Sequence, residues 1–172
     1  MTYLDDHPPR LSKFDPRVFV SVVRTVEGDW LDYNGHMNMA YYNVLFDGCV
    51  DDAFMTFGLG PDYVADYNAS YFTLEAHVTY LGEIGGGDET ICTFQILDFD
   101  AKRVHFFQEL HRVSDGLLSA TSEQMCMHVD MTTRRSAPFP PDILEKIAKM
   151  AAGHADIPRM PQVGHVIGIP KR

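Results

Sequence analysis

From Met39 to Phe57 an apolar side chain returns every third or fourth residue: Tyr42, Leu45, Phe46, Cys49, Val50, Ala53, Phe54 and Phe57. That is the helical period, and it gathers these side chains on one broad face while Asn43, Asp47 and Asp51, four apart, fall on the opposite side. Asn38 stands where an N-cap is wanted, and Gly58, Gly60 and Pro61 supply a stop. At 1.5 Å per residue the helix spans on the order of 30 Å, the width of a small sheet. A helix this long with so wide an apolar face must be covered, so the rest of the chain has to supply the cover.

The cover reads as β-structure. Tyr71 to Leu81 alternates, with Phe72, Leu74, Ala76, Val78 and Tyr80 predicted to face the core and Tyr71, Thr73, Glu75, His77 and Thr79 to form a polar face. After a glycine-rich connection from Gly82 to Asp88, strand-like runs follow at Thr90 to Leu97, Arg103 to Val113 and Leu117 to Asp130. Their separators are short enough only for antiparallel hairpins, which predicts a four-strand meander. A first strand is expected over Arg17 to Val23, an irregular stretch between Gly58 and Asn68, and a last helix from Pro141 to about Ala152 followed by a loosely ordered tail. The order therefore predicts an α+β fold, an antiparallel sheet wrapped around one long central helix, with a short C-terminal helix. Residues 1–16 read as an N-terminal arm, 17–135 as the domain, and 136–172 as C-terminal helix and tail.

With 172 residues the chain can bury one sizeable core but is short for two. Its net charge of −10 argues against nucleic acid as a partner, which demands clustered Lys and Arg. The N-terminus lacks an apolar signal core and no run approaches a membrane span, so a cytoplasmic location is expected. Cys49, Cys92 and Cys126 are odd in number and sit in apolar patterns, which predicts buried free thiols and neither a disulfide framework nor a metal knuckle. No metal and no separate cofactor is called for.

Polar groups concentrate in Trp30-Leu31-Asp32-Tyr33-Asn34-Gly35-His36-Met37-Asn38, a turn-rich loop leading into the long helix. This segment resembles the Asp-x-x-Gly-His-x-Asn signature of hotdog-fold thioesterases related to 4-hydroxybenzoyl-CoA thioesterase, and the likeness in element order covers roughly residues 15–135. A narrower resemblance is to betainyl-CoA thioesterases of carnitine breakdown and to the similar module fused to some carnitine dehydrogenases. It rests on Asp32 to Asn38, on Ser70 to His77, and on Glu123-Gln124-Met125 with His128-Val129-Asp130.

Thioester hydrolysis needs a nucleophile, or a base to make one from water, and donors aimed at the oxygen on which negative charge develops. The resemblance implies that Asp32 is that carboxylate and that the backbone N–H of Met39 polarises the carbonyl at the positive end of the helix. A well-placed donor of this kind is worth roughly 3 kcal/mol in the transition state. His36 would orient the substrate or the carboxylate, and Asn38 would fix the amides by capping. Each has a structural reading too: Asp32 an Asx turn with Asn34, His36 a turn-stabilising residue, Asn38 a plain cap. By the same resemblance Glu75 faces the pocket across a dimer interface. For a quaternary ammonium acyl group, Glu75 would neutralise the charge and Trp30, Tyr33 or Tyr71 would offer ring faces. Thr73 shares the face of Glu75 and is a further candidate substrate contact. Lys102, Arg103, Arg112, Arg134 and Arg135 are candidate contacts for the CoA phosphates, coenzyme A entering as part of the substrate. Family likeness also implies a homodimer, paired sheet edge to sheet edge, with shared active sites, and a dimer of dimers is a further state open to it.

Two rival functions fit parts of this pattern. A hotdog enoyl-CoA hydratase or dehydratase pairs aspartate with histidine, but at a wider spacing than Asp32 to His36. A non-catalytic acyl-CoA-binding module shares the fold, and the carboxylate at the turn disfavours it.

Overall fold

The structure, a computed structural model, describes residues 14–169, so the expected N-terminal arm falls almost wholly outside the described residues. Chain order is β1 (Phe19–Val20), β2 (Arg24–Thr25), α1 (Met39–Phe57), α2 (Pro61–Tyr67), β3 (Ala69–Tyr80), β4 (Glu89–Phe99), β5 (Arg103–Arg112), β6 (Leu118–Asp130), β7 (Arg135–Ser136) and α3 (Pro141–His154). The strands form one antiparallel sheet ordered β1-β4-β5-β6-β3, with β2 also on β4 and β7 on β6. The sheet lies over α1, giving the α+β hotdog arrangement expected from the sequence.

Helix α1 begins and ends where its caps predicted. Asn38 Oδ1 accepts the Ala40 amide at 3.0 Å, and Gly58 closes the helix in the left-handed region at φ 93°. Lys146 Nζ adds a cation at that end, donating to the Phe57 carbonyl at 3.0 Å. All the apolar positions named from the period, Tyr42 through Phe57, are buried. Leu45, Phe46, Val50, Phe54 and Phe57 each contribute on the order of 1.5–3 kcal/mol of transfer free energy, so this face is what holds sheet and helix together. Phe94 and Phe106 from the central strands meet Phe54 edge-on, and Ile143 and Ile147 of α3 close the core from the other side.

Four expectations for the chain ahead of α3 need correction. The strand over Arg17 to Val23 is two dipeptide strands, because Asp52 Oδ2 takes the Val22 amide at 3.1 Å and pulls the chain off the β4 ladder. The stretch before Asn68 is not irregular but helix α2, started by Pro61 and closed by Asn68 in the left-handed conformation at φ 47°. The four strands are not a simple meander, since β3 pairs with β6 and lies at the sheet edge. The eight residues between β3 and β4 reach up to about 27 Å, ample to cross the roughly 14 Å of three strand spacings. Finally, the alternation of β3 slips at a bulge between Thr73 and Glu75. Upstream of it Tyr71, assigned to the polar face, packs its ring 4.3 Å from Phe54, while Phe72 before the bulge and Leu74 in it, both assigned to the core, are exposed.

The tail after α3 is laid along the sheet rather than loosely ordered: Gln95 Nε2 donates to the Ile157 carbonyl at 3.3 Å and the Gly164 amide donates to Glu123 Oε2 at 2.6 Å. Cys49, Cys92 and Cys126 are buried and free, and burial pushes the Cys126 thiol up to about 12. No helix among the described residues is long and apolar enough to cross a membrane.

Candidate active site

The loop ahead of α1 is a tight hairpin, and its own hydrogen bonds explain its shape. A 3₁₀ turn, Gly28–Trp30, leads in; Leu31 bridges Met37, and the Asp32 amide donates to the His36 carbonyl at 2.9 Å. Gly35 turns the chain at φ 80°, a conformation that a residue with a Cβ adopts at a cost of roughly 1 kcal/mol. The Asn38 amide returns to the Trp30 carbonyl at 2.9 Å, and the buried Met37 is tied to the Ile84 carbonyl at 2.8 Å. The hairpin thus holds Asp32, His36 and Asn38 at the N-terminus of α1.

Asp32 makes the Asx turn that its position before Asn34 and Gly35 suggested. Its Oδ1 accepts the Asn34 amide at 2.8 Å and the His36 amide at 3.4 Å. Its Oδ2 is met by Asn34 Nδ2 alone among the described residues, and at 3.5 Å. The Asn34 amide, with help from that of His36, holds the Asp32 carboxyl below the ordinary carboxylate range, so the group is an anion with one oxygen committed and one nearly free. The Met39 amide has no acceptor among the described residues, as the first N–H of a helix has none of its own. His36 Nε2 lies 3.2 Å from Glu83 Oε2 at the surface.

The other named residues are placed differently. Trp30 stacks on Tyr41 with ring centroids 5.3 Å apart and packs against the core, while Tyr33 is 98% exposed. Tyr71 and Thr73 line a cavity of 760 Å³ walled by the outer side of α1, by α2 and by the start of β3. Glu75 is in another cavity, of 280 Å³, with His105, Glu123 and His165. Among the basic residues, Arg103 pairs with Asp100 at 2.6 Å and Arg112 with Asp115 at 2.7 Å, so both guanidiniums are engaged; Arg134, just before β7, and Arg135, its first residue, are exposed, and Lys102 sits in the β4–β5 turn.

The 760 Å³ cavity contains a pair that the sequence reading passed over as solvent-facing: Asp47 and Asp51, one turn apart on α1. Tyr71 Oη donates to Asp51 Oδ1 at 2.7 Å. Asp47 is accessible to solvent through the cavity mouth yet crowded by protein, and that desolvation, with the Asp51 charge beside it, raises its carboxyl above the usual value.

Residues 26–147 match the family described as the thioesterase-like superfamily. The chain is 37% identical over 143 residues to an L-carnitine dehydrogenase/betainyl-CoA thioesterase of Rhizobium meliloti, covering 83% of this chain and 29% of that longer protein. It is 36% identical over 142 residues to a betainyl-CoA thioesterase of Pseudomonas aeruginosa, covering 83% of this chain and 89% of that one. Among solved structures, a Staphylococcus aureus protein in complex with CoA superposes with a TM-score of 0.83 at 37% identity, covering 89% of this chain and 96% of that one.

Proposed function

The chain belongs to the thioesterase-like superfamily, and from that premise we propose that it hydrolyses a small acyl-CoA thioester, betainyl-CoA or a related cationic acyl-CoA, to the free acid and CoA. The observation that carries the reading is the weakly engaged Oδ2 of a charged Asp32, met only by Asn34 Nδ2 at 3.5 Å, set on the same hairpin that delivers the Met39 amide, unpartnered among the described residues, at the start of α1. Asp32 Oδ2 attacks the thioester carbon, or takes a proton from the water that does. The Met39 N–H, reinforced by the helix dipole, binds the oxyanion. Collapse of that intermediate expels the CoA thiolate, which leaves as the thiol after protonation; on the water route the acid is formed in this step, and on the direct route a second step, in which water cleaves the acyl–Asp32 anhydride, releases the acid and restores the carboxylate. His36 and Asn38 hold the hairpin and the first helical turn in register.

The active unit in this reading is a dimer. Among the described residues β3 ends the sheet with one side of its ladder unpaired, and Leu74 on it and Met39, Val44 and Met55 along α1 are exposed apolar residues. A second copy pairing at this edge buries them and satisfies the strand's backbone groups.

The test is thiol release from betainyl, acetyl, carnitinyl and aromatic acyl-CoA thioesters, with enoyl absorbance followed in parallel. The expected result is CoA release fastest with betainyl-CoA and a loss of at least about 100-fold in kcat in Asp32→Asn. Thioester turnover unaffected by Asp32→Asn, or enoyl consumption without thiol, rejects the assignment.

A further inference from the structure

The 760 Å³ cavity combines three properties that seldom coincide on a surface. Asp47 and Asp51 give it two carboxylates; the Asp47 carboxylate has no counter-ion among the described residues, and Asp51 is met by a neutral phenol. Tyr71 and Phe72 bring aromatic rings to its wall, and Met55, Leu59 and Val64 give it an apolar floor, with the hydroxyls of Ser70 and Thr73 at the β3 side. Negative charge without a paired cation, ring faces and an apolar floor are what a methylated ammonium demands, since such a cation cannot donate hydrogen bonds and is held by charge and by π-faces. A phosphate or an acidic acyl chain is repelled by the same wall.

We infer that this cavity receives the quaternary ammonium end of the acyl group, and that it does so for a thioester bound at the helix start of a second copy of the chain. The inference rests on the thioesterase reading above and adds the acyl specificity to it. Asp47 is eight residues beyond Met39 on α1, so the two lie about 12 Å apart along the helix axis. A betainyl group has a single methylene between its ammonium and its carbonyl carbon and is too short to join them within one chain. Antiparallel pairing of two β3 edges about a two-fold axis reverses the partner's α1 and turns its start toward this cavity, which opens beside the β3 edge at Ser70 to Thr73. Glu75, which the family resemblance implies for this role, is less suited. Its cavity is walled by His77, His105 and His165, which oppose a cation whenever protonated, and the neighbouring Glu123 is already taken by His105 at 2.8 Å and by the Gly164 amide.

The experiment compares kcat/KM for betainyl-CoA with that for 3,3-dimethylbutanoyl-CoA, its uncharged isostere, in wild type, Asp47→Asn, Asp47→Asn/Asp51→Asn and Glu75→Gln. The cavity is expected to give a betainyl preference that Asp47→Asn cuts roughly tenfold and the double variant cuts further, while Glu75→Gln leaves the ratio in place. A second arm titrates tetramethylammonium onto each protein by NMR, after circular dichroism has verified the fold. Loss of tetramethylammonium binding in the double variant supports the cavity even if the wild type hydrolyses no thioester, an outcome that would sink the catalytic reading alone. Hydrolysis with an unchanged substrate ratio in both aspartate variants, or a ratio that collapses only in Glu75→Gln, overturns the inference and leaves the catalytic reading standing.

Discussion

Gln108 Nε2 donates a 2.9 Å hydrogen bond to the carbonyl of Phe46, in the buried middle of α1. A mid-helix carbonyl has a spare lone pair, and here the sheet supplies a side-chain donor for it across the core. Gln108 is itself completely buried and its Oε1 accepts from Gln124 Nε2 at 3.1 Å, so one amide side chain locks β5, β6 and α1 together. Gln108→Leu keeps the volume but leaves one buried N–H of Gln124 without its acceptor, the other still donating to Ser122 Oγ at 2.9 Å. The expected loss is about 2 kcal/mol of unfolding free energy, read from the urea midpoint at unchanged slope. A variant as stable as wild type would show that the network contributes nothing.

In the proposed mechanism the acid limb of the rate profile follows from Asp32. Because the Asn34 amide hydrogen bond holds its carboxyl below the ordinary range, the group keeps its charge down to below the pH at which a free carboxylate takes up a proton. The expected kcat/KM profile is therefore flat from neutrality down to about pH 4 and falls only below it. A limb centred near pH 6 would assign the titration to some other group, and Asp32→Asn then distinguishes them by whether that limb survives in the residual rate.

Much of the fold was legible because its signals are local. The α1 period, the Asn38 cap and the Gly58 stop all lie within about a turn of what they control, and the Asp32-to-Asn38 hairpin is contiguous in the chain. What was misread depends on residues far apart. The bulge at Thr73/Glu75 is set by pairing with β6, some 50 residues on, and it is this slip that puts the Tyr71 ring on Phe54 and leaves Leu74 at the surface. The seven residues of α2 are too few to declare a period, so Pro61 was read as the end of one helix and not the start of the next. Asp47 and Asp51 were correctly placed on the polar side of α1, but nothing in the sequence says that Tyr71 arrives opposite them.

The proposed dimer makes a prediction at Leu74, exposed on the edge strand. Leu74→Lys puts a charge where a second sheet edge would lie, the device by which natural edge strands resist pairing. Sedimentation is expected to move from dimer to monomer and thioesterase activity to fall with it, since each site draws on both copies. A monomeric wild type, or a Leu74→Lys variant that is monomeric and fully active, argues that the site is complete in a single chain.

The stability of the protein toward acid is expected to hinge on His154. Its ring is buried under β4, where Nδ1 accepts the Ile96 amide at 2.9 Å and Nε2 therefore carries the proton and donates to the Arg17 carbonyl at 2.9 Å. Both nitrogens are committed to the neutral tautomer, and a second proton on Nδ1 would face the Ile96 N–H. Burial, foremost, lowers the His154 pKa below the usual histidine value, against the pull of the Arg17 carbonyl, with the Arg17 charge lowering it further and that of Asp15 raising it. With the folded value below the unfolded one, the unfolded chain takes up the proton first. The contribution of His154 is thus complete above about pH 6.5 and is lost as the pH falls from there toward the folded value. Urea midpoints measured between pH 8 and pH 5 should decline below about pH 6.5 in the wild type, whereas His154→Gln, weaker at neutral pH through its lost hydrogen bonds, should show that part of the slope removed. An identical slope in the variant would place the acid sensitivity elsewhere.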